Sequence, residues 1–446
     1  MIQAANKRSF LMLQGPIGPF FRELSDALKV RGHAVHKVNF WGGDDAFFPQ
    51  AESYTGTPAQ WPSHLIGICS RLGITDLVLF GDRRRYHEDA IEILAEANPE
   101  LRVWVFEEGY FRPNWITLDH YGVNARSSLP ASAEDLRQAA STATRLRVPE
   151  RNPVDPWLKD FLPTLGRYHA FGKALSGKYP HFEYHRQRSP LAEMAGWAHR
   201  LARRAMGGSE EGDVEAFRTL KTNGHYLAAL QLEGDFQLRK YSPFQRNEDF
   251  IRYLLSSFAK QAPAGTALVL KSHPYDCKWT RTRDLTYRIA RSLNIQDRVV
   301  FVHKCQVSEV LDGCLGCVTI NSSFGLEAIS RGIPVKALGT AFWNFTPLAN
   351  PGSLDRFWTA PMTPDEPTFK LLKDIVMSRT QFNGGFYSEQ GRALCTQAVA
   401  DELSTGVQDT RSLSAGPIMR LQEKRANRIK TLGRTPKPRQ KLDLSL

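Results

Sequence analysis

Short apolar runs punctuate the first part of the chain, and between them apolar residues recur at helical spacing. Phe10 to Gln14 reads as a strand, Phe20 to Arg31 as a helix stopped at Gly32, and Ala34 to Phe40 as a second strand. Leu77 to Phe80 is a third strand ending at Gly81-Asp82, Tyr86 to Ala97 a helix, and Val103 to Phe106 a fourth strand running into Glu107-Glu108-Gly109. Strand–helix–strand repetition at this spacing predicts a parallel, doubly wound sheet.

The pattern changes from about Glu134 to Asn223, where apolar runs give way to Arg, His and aromatic residues. Pro190 to Ala205 reads as a basic amphipathic helix, packed with its basic face in water or touching membrane or acceptor. A second alternating unit opens at Tyr226 to Gln231 and continues with a helix over Asn247 to Lys260 and a strand over Ala267 to Lys271. A helix over Thr282 to Leu293, a strand over Val299 to Val302 and a short helix over Val307 to Cys314 come next. The strand Gly316 to Ile320, the helix Phe324 to Arg331 and the strand Pro334 to Leu338 complete the unit. The divisions expected are therefore 1–133, 134–223, 224–345, helices over 346–419 that pack back on the core, and a tail over 420–446.

Composition narrows this picture. The chain has 446 residues, of which 42% are hydrophobic and 23% charged, as in a globular protein with room for two domains. No apolar run is long enough for a transmembrane helix. The N-terminal apolar run passes straight into Gly15-Pro16, which reads as a first strand and not as a signal peptide. Six cysteines without a paired framework suit a reducing cytoplasm, and the single Cys314/Cys317 pair reads as core thiols. The net charge is +12, and Arg420 to Lys441 holds nine Lys or Arg against one Glu. Such a surface suits an anionic partner: nucleic acid, anionic lipid or an anionic sugar. The tail carries no aromatic residue for base stacking, which turns the reading away from nucleic acid and toward an anionic membrane surface or a solvated terminus.

The chemistry-bearing residues follow predicted strands, where open parallel sheets place their ligands. Asn321-Ser322-Ser323 opens a helix whose N–H groups and two hydroxyls suit an anion, with Glu327 one turn on as a candidate ribose contact; an ordinary Ser N-cap is the alternative. Lys271-Ser272-His273-Pro274 sets an imidazole on a rigid turn, able to donate to a phosphate or simply to cap the strand, and Lys271 adds charge. Glu107 and Glu108 place two carboxylates side by side, which suits proton transfer through their mutual repulsion. Asp235, in Glu233-Gly234-Asp235, is a carboxylate able to attack an anomeric carbon, or a turn residue. Gln14, Gly15 and Gly18 lie in a Pro-interrupted turn that lacks the donors of a phosphate cradle. Asp44 and Asp45, in Gly42-Gly43-Asp44-Asp45, read as a surface turn or a cleft-edge loop with conceivable metal affinity.

The stretches LQGPIGPFF, NFWGGDDAFF, VFEEGYFRPNWITLD, QLEGDFQLRKYSPF, LKSHPYD and TINSSFGLEAISRGIPV together resemble the capsule polysaccharide biosynthesis family, specifically the bacterial KpsS-type β-Kdo transferases. The His-Pro and Ser-Ser elements are also similar to those of bacterial sialyltransferases. The resemblance implies a GT-B fold, two Rossmann-like domains facing a cleft, with an acceptor-side N-terminal domain and a CMP-sugar-binding C-terminal one. It implies CMP-β-Kdo as donor, a (lyso)phosphatidylglycerol-type lipid as acceptor, and action in the cytoplasm, peripheral to the inner face of the cytoplasmic membrane, with other capsule assembly proteins as partners. On this pattern Asp235 matches the nucleophile and Glu108 or Glu107 the acid/base. Lys271, His273, Pro274, Asn321, Ser322, Ser323 and Glu327 match the donor side, and Gln14, Gly15, Gly18 and Asp44 lie on the acceptor side. No cofactor or metal is implied. A sialyltransferase-like enzyme and a non-catalytic capsule assembly or export factor are the alternatives.

Overall fold

A computed structural model of the chain describes residues 7–98, 100–142, 148–183, 210–220, 224–232, 236–274, 276 and 279–405. The described residues of Met1–Leu129, Ala143–Leu191 and Lys373–Thr410 form one compact unit, and those of Pro130–Thr142 and Ala192–Leu372 a second. Asp235, the Pro190 to Ala205 segment and the basic tail lie outside the described residues.

The first unit begins with β1 (Ser9–Met12), α1 (Phe20–Val30), β2 (Ala34–Asn39), α2 (Gly42–Asp45), β3 (Glu52–Ser53), α3 (Trp61–Leu72), β4 (Asp76–Phe80), α4 (Arg85–Ala97), β5 (Arg102–Glu108) and β6 (Trp115–His120). Alternate residues of β1, β4 and β5 face opposite helical layers, as the strand period requires. Leu11, Leu77, Leu79, Val103 and Val105 pack with residues of α3 and α4. Phe10, Met12, Val78, Trp104 and Phe106 pack with α1. The helices α5 (Ala133–Thr142) and α6 (Leu158–Ala174) follow, α6 within the first unit.

The second unit holds α7 (Glu210–Leu220), β7 (His225–Ala229), α8 (Phe236–Tyr241), α9 (Asn247–Gln261), β8 (Ala267–Lys271), α10 (Trp279–Ser292), β9 (Val299–Val302), α11 (Val307–Leu311), β10 (Cys314–Thr319), α12 (Phe324–Ile329), β11 (Val335–Ala337) and α13 (Leu354–Phe357). Its five strands are all parallel, in the order β11-β10-β7-β8-β9. β7, β8 and β9 are buried along their whole length, which explains why they read as continuous apolar runs. Cys314 and Cys317 are free thiols on β10, and burial pushes the Cys314 thiol up to about 12.

Then come α14 (Glu366–Thr380), β12 (Gln381–Asn383) and α15 (Glu389–Thr405). α15 returns to the first unit, where Val399, Leu403 and the preceding Phe386 share a fully buried cluster with Phe20, Leu24 and Leu28 of α1. Each such side chain contributes ~1.5–3 kcal/mol of burial. The partly exposed Arg31–Asp401 pair (2.7 Å) beside them is worth ~0–1 kcal/mol, so apolar packing holds the helix.

The first sheet is not wholly parallel. Its order is β12-β6-β5-β4-β1-β2-β3, with β6 antiparallel to β5 and β12 antiparallel to β6. β6 hides from an apolar-run search because Thr117, Asp119 and His120 are buried in it. Asp119 accepts hydrogen bonds from the hydroxyls of Ser127 and Ser128, and His120 lies 4.1 Å from the Trp104 ring centroid. Gly109 starts the β5–β6 turn, where a Cβ would stand 2.2 Å from the Trp115 carbonyl oxygen.

Candidate functional site

Both sheets share one order for their first five strands: β3-β2-β1-β4-β5 and β9-β8-β7-β10-β11. The winding reverses between β1 and β4, and again between β7 and β10. The crevice beyond the carboxyl ends at such a reversal is where doubly wound sheets take ligands.

In the second unit the reversal is closed by a buried pair of side-chain amides. Gln231 follows β7 and Asn321 follows β10. Gln231 Nε2 donates to Asn321 Oδ1 at 2.9 Å, and the Asn321 backbone N–H donates to Gln231 Oε1 at 3.4 Å. Asn247 Nδ2 donates to the Gln231 carbonyl at 2.7 Å. These contacts set the orientation of both amides, because the backbone N–H faces only an oxygen.

Ser322 and Ser323, both half-buried, lead into α12. Phe324 N donates to Ser322 Oγ at 3.2 Å, while Gly325 N and Leu326 N bond to the carbonyls of Ser322 and Ser323. The first N–H groups of α12 are therefore used locally, and the anion-binding capacity of this turn rests on its hydroxyls. The Ser322 Oγ that accepts from Phe324 keeps its own proton to donate. Glu327 pairs with Arg331 at 2.8 Å on the outer side of α12, so a ribose contact there competes with an ion pair.

His273 and the exposed Pro274 lie just past β8. β8 and β10 flank β7, two interstrand steps or about 10 Å apart, which a sugar phosphate can span. The turn is closed by Asp276 N donating to the His273 carbonyl at 2.9 Å. Ser272 Oγ bonds His303 Nδ1 at 2.6 Å, and the His303 ring stacks on Trp279 at 4.9 Å and 7°. His273 thus follows a buried, fixed Ser272. Lys271 is buried, its Nζ 3.4 Å from the His303 carbonyl oxygen, and burial lowers its pKa.

In the first unit Gln14, beyond β1, and Asp44, on α2, meet: Gln14 Nε2 donates to Asp44 Oδ2 at 3.2 Å, as does Phe40 N at 3.0 Å. Gly42 to Asp45 is a short helix rather than a surface loop. A Cβ on Gly42 would stand 2.3 Å from the Phe171 carbonyl oxygen of α6, so only glycine permits this approach. Asp45 accepts from Asn39 (2.8 Å), Tyr179 (2.8 Å) and Lys178 (3.0 Å), which leaves the Asp pair occupied by protein donors. Among the described residues no group of three His, Cys, Asp or Glu is placed to hold a metal.

Glu107 and Glu108 are the last two residues of β5 and not a loop pair. Strand alternation sends their side chains to opposite faces: Glu107 to the α3/α4 side with Val103 and Val105, Glu108 to the α1 side with Trp104 and Phe106. They do not form the adjacent, mutually repelling pair expected of a loop.

Arg84, which the sequence reading passed over, lies at this edge as well. Its Nη1 donates to the Gly15 carbonyl at 3.1 Å and its guanidinium lies over Phe80. Its Nε and Glu107 Oε2 lie 3.9 and 3.8 Å from the point a Cβ on Gly81 would occupy. The buried His87 bonds the Gly81 carbonyl at 2.8 Å through Nδ1, and burial pushes its pKa down to about 3, so it stays neutral and donates. Gly18 has a φ of +127°, with Thr164 of α6 3.3 Å from where its Cβ would be. The first unit therefore gathers Gln14, Gly15, Asp44 and Glu107 at its carboxyl edge, and the second gathers His273, Asn321, Ser322 and Ser323 at its own.

Residues 75–387 match the family described as capsule polysaccharide biosynthesis protein. The capsule polysaccharide modification protein LipB of Neisseria meningitidis serogroup B is 33% identical over 389 residues, spanning 85% of this chain and 92% of LipB. The capsule polysaccharide export protein KpsS of Escherichia coli is 30% identical over 383 residues, spanning 85% of this chain and 97% of KpsS. Among solved structures, the β-Kdo 2,7 transferase of Thermosulfurimonas dismutans KpsC aligns with a TM-score of 0.39 at 13% identity, covering 89% of this chain and 99% of that one.

Proposed function

This chain belongs to the capsule polysaccharide biosynthesis protein family, and on that premise we propose that it is a retaining β-Kdo transferase. The donor is CMP-β-Kdo and the acceptor a (lyso)phosphatidylglycerol-type lipid. The observation that carries this reading is the placement of His273 and of Asn321-Ser322-Ser323 past the ends of β8 and β10, on either side of β7, whose continuation leads to Asp235.

In this scheme the Asp235 carboxylate attacks the anomeric carbon of Kdo, and the bond from that carbon to the phosphate oxygen breaks. CMP leaves with the electron pair, its phosphate held by the hydroxyls of Ser322 and Ser323 and by His273. A hydroxyl of the acceptor then attacks the anomeric carbon of the glycosyl–Asp235 ester, the bond from that carbon to the Asp235 oxygen breaks and frees the carboxylate, and the hydroxyl proton passes to Glu107 or Glu108. Two inversions retain the configuration. Gln14, Gly15, Gly18 and Asp44 line the acceptor side.

Donor, acceptor and inner leaflet are all anionic, and the net charge of +12 favours each of them. Each Lys or Arg near an anionic leaflet contributes roughly 1 kcal/mol. The basic tail would then hold the enzyme peripherally at the inner face of the membrane; no helix among the described residues is long and apolar enough to cross it.

The test is transfer from CMP-Kdo and from CMP-sialic acid to a lysophosphatidylglycerol acceptor, with wild type and Asp235→Ala. Kdo transfer that disappears in the variant is expected. Transfer of sialic acid alone makes the enzyme sialyltransferase-like, and no turnover of either donor by the wild type favours a non-catalytic assembly or export role.

A further inference from the structure

The buried amide pair at the β7/β10 reversal ties the end of β7 to the first residue of the Asn321-Ser322-Ser323 stretch. Three residues separate Gln231 from Asp235 in sequence, and one residue separates Asn321 from Ser323. Gln231 is 6% exposed and Asn321 fully buried, and two hydrogen bonds join them across 90 positions of sequence. Each strand end is also braced from outside. Asn247 holds the Gln231 carbonyl at 2.7 Å, and Gly339 N holds the Ile320 carbonyl at 2.7 Å. Gly339 is confined in turn, because a Cβ there would meet the Tyr241 carbonyl oxygen at 2.9 Å and Ile320 Cγ2 at 3.0 Å.

A pair of carboxamides is not the default way to finish two parallel strands. Apolar residues would fill the same space without the cost of burying four polar groups, which is repaid only when every donor and acceptor is met in good geometry. A satisfied amide pair resists sliding, because a shift of one strand end by about 1 Å breaks bonds that an apolar contact would merely rearrange.

We propose that Gln231 and Asn321 are positioning residues, which lock the end of β7 to the turn carrying Ser322 and Ser323 so that these two hydroxyls keep a fixed place at the reversal. The role of the Ser322-Ser323 turn rests on the transferase reading; the mechanical coupling of the two strand ends does not.

The coupling is tested by hydrogen exchange on the full chain. Gln231→Met preserves volume and removes both side-chain bonds. Faster exchange is expected in peptides covering 231–236 and 321–325 alike, with the rest of the second unit unchanged. Exchange that quickens only around 231 overturns the proposal. Where Gln231→Met fails to fold, Gln231→Glu serves in its place. Its neutral acid presents the same oxygen acceptor and one donor, so exchange at 321–325 should slow as pH falls, and no pH dependence beyond that of wild type overturns the proposal.

Kinetics supply the second readout. Gln231→Met and Asn321→Leu should each lower kcat by about 10²-fold, the scale of a 1 Å misplacement, with the KM for CMP-Kdo little changed. Asn321→Leu removes the bond from Gln231 Nε2 that Gln231→Met also removes, so the double variant should be little worse than Gln231→Met alone. Additive losses, or a loss confined to KM, overturn the positioning role. If the wild type does not use CMP-Kdo, the transferase reading falls by itself, and the coupling is still judged by exchange.

Discussion

Gly325 is the second residue of α12, and its α-hydrogen faces the buried ring of Trp343. A Cβ there would stand 2.4 Å from Trp343 Cη2 and 2.7 Å from Cζ2, whereas ordinary contact begins at 3.4 Å, a shortfall of 1.0 Å at the nearest atom. Trp343 is 1% exposed, so the ring has little room to withdraw and the first turn of α12 must give way. Overpacking of this kind costs about 1–3 kcal/mol. Because Ser322 and Ser323 lead directly into that turn, Gly325→Ala should move them by up to about 1 Å and lower donor turnover by about 10²-fold. The assay is kcat and KM for CMP-β-Kdo alongside thermal unfolding of the same preparation. Trp343→Phe in the same chain makes room for the methyl and should recover much of both losses. A Gly325→Ala protein that is destabilised but turns over donor normally would remove the Ser322-Ser323 turn from the site.

Other expectations follow from single contacts. Because Glu107 and Glu108 face opposite sides of β5, Glu107→Gln and Glu108→Gln should differ in kcat by at least about tenfold, the low end of general acid–base contributions being ~10²; equal losses in steady-state assays would contradict the alternation. Burial raises the Asp119 carboxyl to about 6 from 3.8, so the folded state holds a proton that the unfolded chain releases. Stability from this group is therefore greatest at low pH and falls by about 3 kcal/mol as pH rises through the window from about 4 to 6. The unfolding free energy of wild type minus that of Asp119→Asn should show that decline, and a flat difference would contradict it. Gly42→Ala puts a methyl 2.3 Å from the Phe171 carbonyl oxygen, which as backbone cannot rotate away. It should cost about 1–3 kcal/mol by denaturant unfolding, and a stability equal to wild type would mean α2 and α6 are not so closely packed.

The second unit was the more legible in sequence for a physical reason. A parallel sheet covered on both faces needs uninterrupted apolar strands, and Ala267 to Lys271 and Val299 to Val302 have the bounds their composition predicts. In the first unit β6 does not stand out in sequence because its buried Asp119 is held by the Ser127 and Ser128 hydroxyls and its buried His120 packs on Trp104, partners that no local pattern connects to it. The dipeptide Glu107-Glu108 suggested adjacency, but strand geometry turns neighbours apart. Lys271, read as a donor-side cation, is buried with its Nζ 3.4 Å from the His303 carbonyl oxygen, a partner that sequence does not show. The Gln14–Asp44 and Gln231–Asn321 contacts join residues 30 and 90 positions apart, and only the sheet order brings each pair together.

The most direct test of the proposed chemistry is intact-mass measurement of the full chain incubated with CMP-β-Kdo and no acceptor, in wild type and in Glu107→Gln and Glu108→Gln, followed by peptide mapping. Attack by Asp235 predicts a mass increase of one Kdo residue located at Asp235, accumulating most in whichever glutamate variant is slow to discharge it. Unmodified protein in all three under conditions of turnover, with full activity retained in Asp235→Asn, would contradict it.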